Sequence, residues 1–183
     1  MPCCSMSSYP GGDELVAAYE DQVEALERVF RARSVVRADP RSRFFELSGP
    51  DFEARLREDR AELDRWVLMM LVASFEATLR SDAEERIKAK TKDAARKPLK
   101  ALYEPNPDRV RLEDMMKVWE EVAAVGATEK GNVRRLLKHR HWLAHGRHWI
   151  NKHGRLPDPL DAHSELGDYA DAVRKAVSDF PRA

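Results

Sequence analysis

The sequence predicts an all-α fold, an antiparallel bundle of five to six helices, and three observations carry that expectation. Val16, Tyr19, Val23, Leu26 and Phe30 recur three and four residues apart, the spacing of one buried helical stripe. The run WVLMMLVASF, from Trp66 to Phe75, is apolar on every side, as expected of a helix surrounded by other helices. No segment shows convincing period-two alternation joined by turn chemistry, so nothing competes for a sheet.

Taken in order, residues 1–12 read as a disordered leader and residues 13–183 as a single helical domain. That domain divides into an N-terminal helix and loop over 13–50 and a bundle over 51–180. Asp13 is placed to cap a first helix reaching about Val36, which Ala38-Asp39-Pro40 ends. Phe44, Phe45 and Leu47 are expected to pin the following loop to the core. Ser48-Gly49-Pro50 is a start signal, with Ser48 as cap and Pro50 in the first turn of a long helix from Asp51 to roughly Lys92, broken or unbroken near Asp64. A basic stretch from Arg86 to Lys100 is expected to end at Pro98 and the Glu104-Pro105-Asn106-Pro107 turn. Leu112, Met115, Trp119 and Val122 define the next amphipathic helix, closed by Gly126. Thr128 is the expected cap of the helix after it, whose buried side is Val133, Leu136, Leu137, Leu143 and Ala144 and whose end is Gly146. A last helix carries Leu166, Tyr169, Val173, Val177 and Phe180 on one face.

Composition bounds the function. The 183 residues carry 32 basic and 32 acidic side chains, so no global field draws the chain to nucleic acid or anionic lipid. The charge is instead segregated: Asp13 to Arg28 is acidic, whereas Lys130 to Pro157 contains Lys and Arg but no Asp or Glu. The two cysteines, Cys3 and Cys4, are adjacent in a polar leader, which predicts neither a secretory signal nor a disulfide framework and points to a reducing cytoplasm. The longest apolar run is too short to span a bilayer, so no membrane partner is expected.

All six histidines lie between His139 and His163, and the basic helix end LLKHRHWLAHGRH is where chemistry is expected. Two chemistries fit these residue types. His141, His145 and His148 fall within roughly 40° of one helical face, a spacing that can chelate Zn²⁺, although three ligands from one helix and a wholly positive surround are unfavourable for a dication. The alternative is phosphodiester cleavage. RNA supplies its own 2′-hydroxyl nucleophile, so a protein need provide a base, an acid and a cation for the pentavalent phosphorus. Histidine titrates near neutrality, and the guanidinium fork fits phosphate oxygens. Arg140 and His145 supply both types but diverge by about 140° on a straight helix. They converge only if the helix end distorts at Gly146 or a second subunit completes the site.

The bare Arg-x4-His spacing has little specificity, because Arg134 to His139 repeats it. Context separates the two: Arg140 is followed by polar His141, an apolar pair, then Ala144-His145-Gly146. This RHWLAHG stretch resembles the Arg-polar-x-x-x-His signature of the HEPN superfamily (higher eukaryotes and prokaryotes nucleotide-binding), and the upstream SFEATLRSDAEERI resembles its early helices. The resemblance implies a HEPN-like bundle and a homodimeric, metal-independent endoribonuclease, toxin or defence effector, that uses no cofactor, with an antitoxin or regulatory protein as a possible partner. Arg140 would then stabilise the scissile phosphate, His145 would be the acid/base residue and His141 would orient one of them. Glu76 would support Arg140, or simply pair with Arg80 one turn on, and Arg134, Lys138 and Arg147 would contact RNA. Arg147 stands where some relatives that are controlled by tyrosine modification carry Tyr. Other members are non-catalytic modules that bind RNA, nucleotide or a protein, and this alternative stays open.

Overall fold

The computed structural model describes residues 11–89, 94–146 and 154–176. Among them the chain forms α1 (Gly12–Arg31), α2 (Arg33–Ala38), α3 (Gly49–Ala89), α4 (Arg96–Tyr103), α5 (Leu112–Val122), α6 (Ala127–Ala144) and α7 (Pro159–Ala176), with a single 3-10 turn at Pro107–Arg109 and no strand. The all-α expectation holds, and two unexpected boundaries raise the helix number. The N-terminal helix parts at Ala32, and the basic stretch past Pro98 makes a helix of its own.

The first helix starts two residues earlier than a cap at Asp13 implies. Gly11 is its cap, in the left-handed region at φ 81°, and Asp13 lies in the first turn, where a carboxylate complements the helix dipole. A Cβ on Gly11 would sit 2.9 Å from the Ser74 hydroxyl, so glycine also permits α1 to approach α3 closely. The predicted stripe faces α3 at Tyr19, which is 2% exposed, but runs out into solvent at Phe30. Beyond α2, Phe44 packs edge-on against Phe52 at 5.1 Å and with Leu56 makes a small satellite core, whereas Phe45 is exposed.

Ser48 caps α3 as expected, its Oγ accepting the Asp51 N–H at 3.2 Å. The helix then runs 41 residues without a break, about 60 Å at the standard rise. Asp64 does not interrupt it, because the carboxylate is held from two sides: Tyr19 donates its hydroxyl at 2.9 Å and Arg60 its Nε at 2.9 Å. Val67, Leu68, Leu71, Val72, Phe75, Leu79 and Ala83 give α3 its buried length, and α1, α4, α6 and α7 pack around it. Among the described residues no helix is long and apolar enough to cross a membrane.

Pro98 starts a helix rather than ending one. It is the third residue of α4, where a missing N–H costs nothing because the first hydrogen bond back along the helix is Leu99 to Ala95. On α5, Trp119 is fully buried with the Arg86 guanidinium 4.8 Å above its ring. Gly126, not Thr128, occupies the cap position of α6. Tyr169 of α7 closes the core, edge-on to Phe75 at 5.7 Å. The expected contributions of Val177 and Phe180 fall outside the described residues.

Candidate functional site

The end of α6 is built as the sequence suggests. Ala144 is the last helical residue, His145 is the C-cap, and Gly146 turns the chain away at φ 71°. The Gly146 N–H donates to the Leu143 carbonyl and that of His145 to the His141 carbonyl, so two carbonyls of the last turn are satisfied. Because the distortion comes after His145, this residue stays one regular turn beyond His141. Their rings meet edge-on with centroids 4.2 Å apart.

Helical periodicity places Arg134, Lys138, His141 and His145 within about 60° of one another on α6, and all four are exposed. Arg140 lies on a different side of the helix and is half-buried. It lines a cleft of about 290 Å³ between α3, α5 and α6, together with Glu76, Arg80, Arg109, Arg111, Glu113 and His141. His141 therefore belongs to both features. It lines the cleft with Arg140 and meets His145 edge-on.

Glu76 contacts both Arg80 and Arg140. Its Oε1 accepts two hydrogen bonds from Arg80, from Nη2 at 2.7 Å and from Nε at 3.2 Å. Its Oε2 lies 3.9 Å from Arg140 Nη2, a weaker ionic contact without hydrogen-bond length. Arg80 reaches one step further and donates to the Val110 carbonyl at 2.8 Å. Behind it, burial pushes the Tyr103 phenol above its ordinary range against the opposing charge of Arg80, so this hydroxyl stays protonated near neutrality.

The hydrogen bond from Arg80 to Val110 introduces two residues that local sequence reading missed. Val110 is buried, and its neighbours Arg109 and Arg111 are exposed at the cleft. No short-range pattern marks them, because the link to Arg80 spans 30 residues. The fold also corrects the view of α6 as uniformly unneutralised. Glu120 of α5 takes Arg134 at 2.7 Å and Glu165 of α7 takes Arg135 at 2.6 Å. Lys138 stays on the exposed stripe, and Arg147 lies outside the described residues. Ala144, expected on the buried side, is exposed, while His139 is fully buried.

The histidine triplet bears on metal binding only in part. His141 and His145 are one turn apart, His148 falls outside the described residues, and among those described no group of three or more His, Cys, Asp or Glu is gathered to hold a metal ion. What this arrangement can do chemically is bind an anion in the cleft and move protons at its edge. Comparisons with protein-family models, with curated proteins and with solved structures found no match to the chain.

Proposed function

We propose that the chain is a metal-independent endoribonuclease of HEPN type, a toxin or defence effector whose site is completed by two copies of the motif. The observation that carries this reading is the continuity from Arg140 through His141 to His145. A guanidinium in a cationic cleft passes, through one shared imidazole, to an exposed imidazole at a helix end.

In this reading Arg140 binds the scissile phosphate, and Glu76 holds the guanidinium loosely enough to leave donors for phosphate oxygens. His145 accepts the 2′-hydroxyl proton as the 2′-oxygen attacks phosphorus. The bond from phosphorus to the 5′-oxygen then breaks, and that oxygen takes a proton from the second copy of the motif. The products are a 2′,3′-cyclic phosphate and a 5′-hydroxyl. His141 positions His145 by an edge-on ring contact, centroids 4.2 Å apart, and also lines the cleft. Lys138 and Arg134 continue the cationic surface along α6, with Arg134 shared with Glu120.

Purified protein is expected to cleave RNA in EDTA. His145→Ala should lower kcat by about 10²- to 10⁴-fold, the usual contribution of a general acid or base. Arg140→Ala should lower it by roughly 10²- to 10³-fold through loss of charge stabilisation. Both variants should keep the wild-type circular dichroism, since His145 is exposed and Arg140 stands 3.9 Å from Glu76, beyond hydrogen-bond length. Undiminished cutting by His145→Ala would sink the assignment, and binding without turnover by the wild type would favour a non-catalytic RNA-binding module.

A further inference from the structure

We propose that Arg109 and Arg111 form a second phosphate subsite, which holds the phosphate next to the scissile one. The inference rests on the reading of Arg140 as a phosphate-binding residue and extends it along the chain of the substrate.

Charge in the cleft is unbalanced. Four guanidinium groups, Arg80, Arg109, Arg111 and Arg140, face two carboxylates, Glu76 and Glu113. The Glu76 charge is drawn mainly to Arg80 at 2.7 Å, while Arg140 stands at 3.9 Å. Guanidinium groups crowded at one cleft repel each other, and an anion between them removes that repulsion.

The placement of the pair is fixed, not incidental. Arg80 donates to the Val110 carbonyl at 2.8 Å, and the Val110 side chain is 5% exposed. The backbone between the two arginines is thus anchored on both sides while their own side chains remain exposed. Arg111 also precedes the first turn of α5, where its carbonyl accepts the Asp114 and Met115 N–H groups. The two guanidinium groups therefore line, from an anchored segment, the same cleft that Arg140 lines. Such an arrangement suits two neighbouring phosphates of one strand.

The test uses the full chain and a labelled 2′-O-methyl RNA of about ten nucleotides, a length within the usual span of single-strand sites, which binds but lacks the nucleophile. Fluorescence anisotropy is read as a function of salt. The double variant Arg109→Gln/Arg111→Gln should bind about tenfold more weakly near 0.1 M salt, and the slope of log Kd against log salt should shrink by about 0.7 for each phosphate that is no longer neutralised. Arg28→Gln, a charge removed from the distant α1, should change neither. A nucleoside monophosphate should compete only at far higher concentration than the oligonucleotide. Wild-type binding by a folded double variant overturns the proposal, as does equal loss in Arg28→Gln. On cleavable RNA the double variant should raise KM and leave kcat unchanged. A wild type that binds but never cuts would defeat the cleavage reading alone, while the anisotropy series would still decide the subsite.

Discussion

Single residues here do work in pairs that the fold assembles from distant points of the chain. Tyr19 is the clearest case: its hydroxyl donates to Asp64 at 2.9 Å and accepts from Arg60 at 2.6 Å, and Arg60 donates to Asp64 at 2.9 Å. Burial, then the hydrogen bond and charge of Asp64, push its pKa from 10.0 up to about 12. The folded state thus holds the phenolic proton more tightly than the unfolded chain. The resulting stabilisation is complete below the unfolded pKa near 10 and is lost as pH rises through the folded value of about 12. Tyr169 is shifted the same way, mainly by burial, and adds to the same alkaline loss. Melting temperature measured from pH 8 to 12 should therefore fall most steeply in the top two units for the wild type. Tyr19→Phe should start lower, by the worth of two hydrogen bonds, about 1–3 kcal/mol, and fall less steeply. A parallel fall in the two proteins would remove Tyr19 from the alkaline transition.

At the scale of elements, α6 shows how a helix end can aim a side chain. Gly146 at φ 71° ends the helix one residue past His145, so the His141–His145 stack keeps regular helical spacing while the chain leaves abruptly. Gly146→Ala forces a Cβ into the left-handed region and should cost about 1–2 kcal/mol. Differential scanning calorimetry should register that loss, and if the proposed chemistry holds, cleavage should drop further than the lower stability explains, because the turn that orients His145 shifts. Unchanged turnover would mean that the turn does not set the position of the imidazole. The start of α3 and the end of α6 are legible in the sequence because their signals are local: Ser48 reaches Asp51 three residues on, and Gly146 reaches Leu143 three residues back. The continuity of α3 through Asp64 is not, since its partner Tyr19 is 45 residues away. Pro98 misleads for a related reason, because proline ends a helix from inside but is tolerated in its first turn, and only the position of α4 decides which.

The candidate site is legible to the same degree. Arg140, His141 and His145 stand in one short motif, whereas Arg109 and Arg111 join them only through α3, the longest helix and the one around which α1, α4, α6 and α7 pack. For the whole molecule the consequence is that one copy presents a cationic cleft and a single exposed His145, while the proposed reaction moves two protons. In the proposed reaction a second copy of the motif supplies the other proton-transfer group, and activity would then depend on association. Specific activity should fall on dilution through the dimer dissociation range, as measured alongside sedimentation velocity. Mixing offers a sharper check. If both His145 side chains of a pair are needed, adding an equal amount of His145→Ala to the wild type and allowing exchange should leave about half of the activity expected from the wild-type subunits, because random pairing puts half of them with an inactive partner. Retention of full activity in the mixture would place the complete reaction within one copy, and His141 would then be the residue to examine as the second proton carrier.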